Sequence, residues 1–222
     1  MNYIRNMNKR DLFDKMTFLP WEGPYYAQGF KGKKIMIVGE SYYKSNEDNW
    51  TDNPDNYPFA SSSAVQKYIF GWNQETFSRI TNIILGKTKG NKTTIEERAS
   101  LWNNVVYYNF IQSGFRDKVN DNSTIPNDWI ITGKKILIDA LSIYKPDLTI
   151  LFSKQIWKHY GEFNGVSYAA AYKEDKLKHS TIAIFDLCDN EGYPRRIVGI
   201  FHPSRLNSEE NWNEINQYLS NL

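Results

Sequence analysis

The sequence has little with which to staple itself or to hold a metal. Its 222 residues include one cysteine, Cys188, which excludes an internal disulfide and any four-cysteine iron–sulfur or zinc site. Three histidines, His159, His179 and His202, are scattered without the close spacing of a ligand set, so no protein metal site is expected. No apolar run approaches the roughly 20 residues that a membrane span needs. The segment MNYIRNMNKRDLFDKM lacks the apolar centre of a signal peptide, so the expected location is the cytoplasm, away from membranes. The net charge is only +2, too small to announce a polyanion-binding surface by itself. Repeats and low-complexity linkers are absent too. A chain of this length buries roughly 70% of the surface it exposes when unfolded, so it needs no cross-links to be stable.

What the chain does have is a series of short apolar runs alternating with helical patterns. Residues 1–32 read as a short helix and an irregular arm (PWEGPYYAQGF) packed on a single domain spanning 33–222. Lys33–Gly39 (KKIMIVG), Val105–Phe110 (VVYYNF), Leu148–Phe152 (LTILF), Thr181–Leu187 and Ile197–Phe201 read as strands, the first three as buried ones. Apolar residues at helical spacing run through Ser61–Leu85. Thr93–Trp102 opens with a capping-box pattern on Thr93. Trp129–Tyr144, Ser153–Tyr160 and Glu209–Leu222 complete the helices. The Asn- and Asp-rich stretch Lys44–Asn56 is too polar for a core and reads as a long functional loop. This alternation predicts an α/β protein, a three-layer α/β/α sandwich around a central, largely parallel sheet. Ligands of such sheets sit beyond the carboxyl ends of the strands. The polar residues closing those strands are Gly39-Glu40-Ser41, Asn109, Ser153-Lys154 and His202-Pro203-Ser204.

Those four segments, in that order, resemble the uracil-DNA glycosylase superfamily. The motifs are Gly39-Glu40-Ser41-Tyr42-Tyr43, Asn109 within WNNVVYYNFIQSG, and His202-Pro203-Ser204-Arg205-Leu206-Asn207 before a closing helix. The resemblance covers about residues 33 to 222 and points to a divergent bacterial branch. Several branches carry Asp or Asn where Ser41 stands, and Pro where Tyr42 stands. The resemblance implies a monofunctional DNA glycosylase that flips a damaged or modified base out of DNA and leaves an abasic site, without cofactor or metal, as a monomer.

Each implied role suits the residue that would fill it. His202 would donate to the departing base anion, and Glu40 or Ser41 would aim the attacking water. Asn109 offers a donor and an acceptor to a pyrimidine edge. Tyr42, Tyr43 and Phe59 would stack the base, with Gln112 also lining the pocket. Ser153, Lys154, Ser204, Arg205, Asn207 and Arg116 would contact DNA phosphates, and Leu206 would wedge into the gap left by the flipped base. Uracil is the default base. The loop Lys44–Asn56 and Tyr42 suit a larger pyrimidine, such as hydroxymethylated or glucosylated cytosine of phage DNA, which would mean antiviral defence rather than DNA repair. Two alternatives stay open. A Gly-Asp-Ser-type serine hydrolase would use Ser41 and His202, although Gly199 stands where its Asp belongs. A catalytically silent member of the glycosylase fold would only bind DNA.

Overall fold

The computed structural model describes residues 8–42, 54–112, 125–157, 169–176, 180–206 and 208–221. The chain is mixed α/β. Strands β1 (Trp21–Glu22), β2 (Ile35–Gly39), β3 (Val105–Asn109), β4 (Leu148–Phe152), β5 (Ala169–Lys176), β6 (Thr181–Cys188) and β7 (Pro194–Ile200) form one seven-stranded sheet in the order β1-β3-β2-β4-β7-β6-β5. The central run β3-β2-β4-β7 is parallel. β1 joins one edge antiparallel, and β6 and β5 extend the other edge antiparallel. The expectation of a largely parallel sheet therefore holds for its centre and not for its flanks. β1 was not foreseen because two residues inside a Pro/Gly-rich arm carry no periodicity; β5 starts in the alanine run Ala169–Ala171.

The central strands are parallel for a reason written in their composition. IMIVG, VVYYN and LTILF are buried at every position, as strands covered on both faces must be. Alternation then sends successive side chains to opposite cores. Met36, Val38, Val106, Tyr108 and Leu151 pack with Leu12 of α1 (Lys9–Phe13), the Ile136–Leu141 stretch of α5 (Asn127–Tyr144) and Trp157 of α6 (Lys154–Trp157). Ile35, Ile37, Tyr107, Ile150 and Phe152 pack with Val65 of α2 (Ala60–Ile69), Phe77 of α3 (Glu75–Leu85), Trp102 of α4 (Ile95–Trp102) and Trp212 of α7 (Glu209–Ser220).

The pattern over Ser61–Leu85 resolves into two helices, α2 and α3, separated at Gly71, whose φ of 110° continues no helix. The capping box of α4 falls one residue later than expected, on Thr94 with Glu97. The N-terminal arm is tied down by Trp21 Nε1 donating to Trp102 O at 2.7 Å and by Tyr26 Oη donating to Tyr144 O at 3.0 Å.

The β6–β7 hairpin is organised by the fully buried carboxylate of Asp189. It accepts from the backbone N–H of Glu191 (3.0 Å) and Tyr193 (2.9 Å) and pairs with the Arg195 guanidinium at 2.8 Å. Removing the carboxylate leaves two turn N–H groups and the partly buried Arg195 guanidinium without their acceptor, which costs about 1–3 kcal/mol. Asp189→Ala is therefore expected to lower the stability read by urea denaturation at neutral pH by that amount. A loss below about 1 kcal/mol would show that the turn forms without its carboxylate.

Candidate functional site

The four parallel strands close at one edge of the sheet, on Gly39, Asn109, Phe152 and Ile200. Register sets their neighbours. Gly39 lies opposite Asn109, and Phe152 opposite Ile200. Glu40 and Ser153, which follow β2 and β4, and His202, two residues beyond β7, therefore emerge along the same edge.

Gly39 is where the first contact is made. A Cβ built on it would stand 2.1 Å from Asn109 Oδ1 and 3.1 Å from the Tyr107 hydroxyl, so only glycine lets the asparagine side chain lie across β2. Tyr107 Oη donates to Asn109 Oδ1 at 2.9 Å, and Asn109 is 3% exposed. The amide nitrogen of Asn109 has no hydrogen bond among the described residues, which leaves it as the donor on offer. The Tyr42 hydroxyl joins the same network and donates to Ser61 Oγ at 2.8 Å. Burial pushes both Tyr42 and Tyr107 up from the ordinary phenol range, so both stay protonated at neutral pH.

Glu40 is the second element. Its carboxylate accepts the hydroxyl of Ser153, and its backbone carbonyl accepts Ile111 N–H at 2.9 Å. Ser153 is 1% exposed and adopts φ 147°, a backbone geometry that non-glycine residues avoid at a cost of about 1–3 kcal/mol. That strain turns the hydroxyl toward Glu40, while Gln155 N–H caps the same oxygen at 3.2 Å.

His202 completes the group. It caps the short 3₁₀ turn Pro203–Arg205, with Nδ1 accepting Ser204 N–H at 3.3 Å and lying 2.8 Å from Ser204 Oγ. A ring nitrogen that accepts is unprotonated, so the neutral imidazole carries its hydrogen on Nε2. Burial holds His202 below the ordinary histidine value. The nearby Glu40 carboxylate opposes this, and the Arg205 and Arg79 cations reinforce it. Arg79 also fixes the loop, donating to Pro203 O at 2.8 Å. The chain matches no known family model, and no curated protein is significantly similar to it.

Glu40, Asn109 and His202 therefore lie along one edge of the sheet, with the Glu40 carboxylate close enough to His202 to act on its charge and with β2 and β4 between Asn109 and His202. Several other expected roles change. Leu206 is 1% exposed and packed in the core beside α7, so it is not a free wedge in this conformation. Ser153 is buried and committed to Glu40 rather than presented to a phosphate. Gln112, 4% exposed, links the Asn109 carbonyl (2.6 Å) to the Phe18 N–H (2.9 Å) and so ties the N-terminal arm to the strand end. Tyr42 packs against Phe18 with ring centroids 4.8 Å apart, which makes it part of the wall. Lys154, Ser204 and Arg205 are exposed, with the Lys154 ammonium over the Trp157 and Phe201 rings. Phe59 is 59% exposed at the start of α2. Tyr43, Arg116, Asn207 and most of the Lys44–Asn56 loop lie outside the described residues.

Ser41 Oγ is buried without a hydrogen-bond partner among the described residues. The Ser41–His202 bond that a serine hydrolase needs is not formed. Three contributors went unnoticed in the sequence: Tyr107, Ser61 and Arg79. Tyr107 was within reach of it, since residues i and i+2 of a strand share a face and Asn109 follows at that interval. Ser61 and Arg79 act across tertiary contacts and leave no local signal.

Proposed function

We propose that the protein is a DNA glycosylase with a three-layer α/β/α fold of the uracil-DNA glycosylase kind, hydrolysing the N-glycosidic bond of a flipped-out uracil or modified pyrimidine. The observation that carries this reading is the placement of Glu40, Asn109 and His202 along the same carboxyl edge of the parallel strands. When the bond between the sugar and the base breaks, its electron pair leaves with the base, and positive charge grows on the sugar. The Nε2–H of neutral His202 supplies a donor to the anionic base oxygen. The Glu40 carboxylate stabilises the sugar cation, orients water toward the anomeric carbon and takes up the proton that water loses. Asn109, anchored by Tyr107 with its amide nitrogen free, suits a carbonyl oxygen on the base edge. Extruding the base costs a few kcal/mol, less for a mispaired or damaged one.

Oligonucleotides carrying uracil, other deaminated bases or hydroxymethylcytosine, and phage DNA with glucosylated cytosine, test this reading when alkali is used to reveal abasic sites. Strand breaks from wild type and none from His202→Ala are expected on at least one substrate. The absence of a break on all of them overturns the glycosylase reading.

Gly39→Ala gives a geometric test. The added Cβ would sit 2.1 Å from Asn109 Oδ1, so the asparagine side chain must move off Gly39 and away from Tyr107. A misplacement near 1 Å costs about 10²-fold in rate. Single-turnover base release by the folded variant is expected to fall by that factor, and Tyr107→Phe by less, because Asn109 keeps its place over Gly39. Unchanged release by Gly39→Ala would show that Asn109 takes no part.

A further inference from the structure

A cleft opens behind the His202 loop, between α3, the 86–93 loop and the start of α7. Its volume is about 900 Å³, and apart from Gly90 every residue lining it is polar or charged, with no aliphatic or aromatic one. Small-molecule pockets are mostly apolar with a few polar groups; this lining is the reverse. Arg79, Lys89, Lys92 and Arg98 bring four positive charges to it against Glu75 and Glu209. The ion pair between Arg79 and Glu75 cancels one charge of each sign, which leaves Lys89, Lys92 and Arg98 against Glu209.

The wall is rigid. Lys87 O accepts both Trp212 Nε1 (2.6 Å) and Asn216 Nδ2 (2.8 Å), and Asn91 O accepts Asn82 Nδ2 (2.7 Å). Arg98 is held by Tyr68 O and Thr93, with its guanidinium over the Tyr68 ring at 4.5 Å. Arg79 belongs to both places, since it lines the cleft and donates to Pro203 O next to His202. The cleft thus begins where the candidate site ends.

We infer that this cleft is a second nucleic-acid contact, gripping the phosphodiester backbone of the strand whose base reaches His202. Lysine, arginine, asparagine, serine and threonine are the side chains that contact phosphate, and a rigid cationic groove holds a backbone without reading its sequence. The placement on the target strand rests on the glycosylase reading; the phosphate contact itself does not.

Lys89→Gln/Lys92→Gln in the full chain tests it by fluorescence anisotropy, with a labelled duplex and a labelled single strand titrated across salt concentrations. Each lost phosphate contact lowers the slope of log affinity against log salt by about 0.9 on duplex and about 0.7 on single strands. The double variant is expected to lose about twice that slope and to bind every sequence correspondingly more weakly. Single-turnover release at saturating DNA should stay as in wild type. Lys31→Gln/Lys33→Gln removes the same charge beside the opposite end of β2 and should leave the slope unchanged. Equal slopes for wild type and Lys89→Gln/Lys92→Gln overturn the proposal, as does an equal loss in the control pair or no DNA binding by wild type. A reduced slope in a protein that releases no base from any substrate keeps the cleft and discards the glycosylase reading.

Discussion

Replacing His202 with alanine is expected to slow base release by about 10²–10³-fold, the usual consequence of deleting one preorganised donor to a developing oxyanion. Chemistry should suffer far more than folding. The imidazole caps a three-residue turn, and the turn is also held from below by Arg79 through Pro203 O at 2.8 Å. Loss of a cap costs about 1 kcal/mol, which leaves a domain of ordinary stability folded. Single-turnover release and the urea midpoint, measured on the same preparation, separate the two effects. Ser204→Ala removes the hydroxyl at 2.8 Å but keeps the backbone N–H at 3.3 Å, so the ring keeps its tautomer and the rate should fall by less than tenfold. If His202→Ala and Ser204→Ala lost the same modest activity, the histidine would be a structural cap and nothing more.

How far the sequence foretold this arrangement depends on what each residue touches. Buried parallel strands announce themselves, because a segment covered on both faces is apolar at every position; Ile35–Gly39, Val105–Asn109 and Leu148–Phe152 were legible for that reason. The polar residues ending them were legible too, since nothing in a core explains Glu40, Asn109 or His202. What those residues bond to was not. Ser153 read as a phosphate contact because its hydroxyl opens a helix at a strand end. It is instead turned inward by a φ of 147° that depends on its tertiary setting. Leu206 read as an exposed wedge because the resemblance places a DNA-inserted leucine there; whether a loop leucine points outward or beneath α7 depends on the final helix's path over the sheet. The edge strand β1 was invisible because two residues have no period to detect, and its pairing with Tyr107 and Val106 depends on the arm being pinned elsewhere.

Glu40→Gln is the second large effect, and it is read in two independent ways. Loss of a general base lowers rates by about 10²–10⁴-fold, and glutamine keeps the volume and the contact with Ser153 while removing the proton acceptor. Single-turnover release should fall within that range. The second readout is the ionisation of His202, followed by the imidazole C2–H resonance in an NMR pH titration, with His202→Ala identifying the signal. Glu40 raises the histidine's pKa against burial, whereas Arg205 and Arg79 lower it. Removing the carboxylate should therefore move the titration to still lower pH, and Arg205→Gln should move it up. Burial keeps the folded value of His202 below its unfolded one, so the unfolded chain binds the proton first. The stability linked to this residue is complete above about pH 6.5 and is lost as pH falls through the folded value. In Glu40→Gln the folded value lies lower, so that loss extends further into acid and the urea midpoint should drop more steeply below pH 6.5 than in wild type. A His202 titration unmoved by Glu40→Gln, together with a rate within twofold of wild type, would separate the carboxylate from the imidazole and leave His202 to act alone.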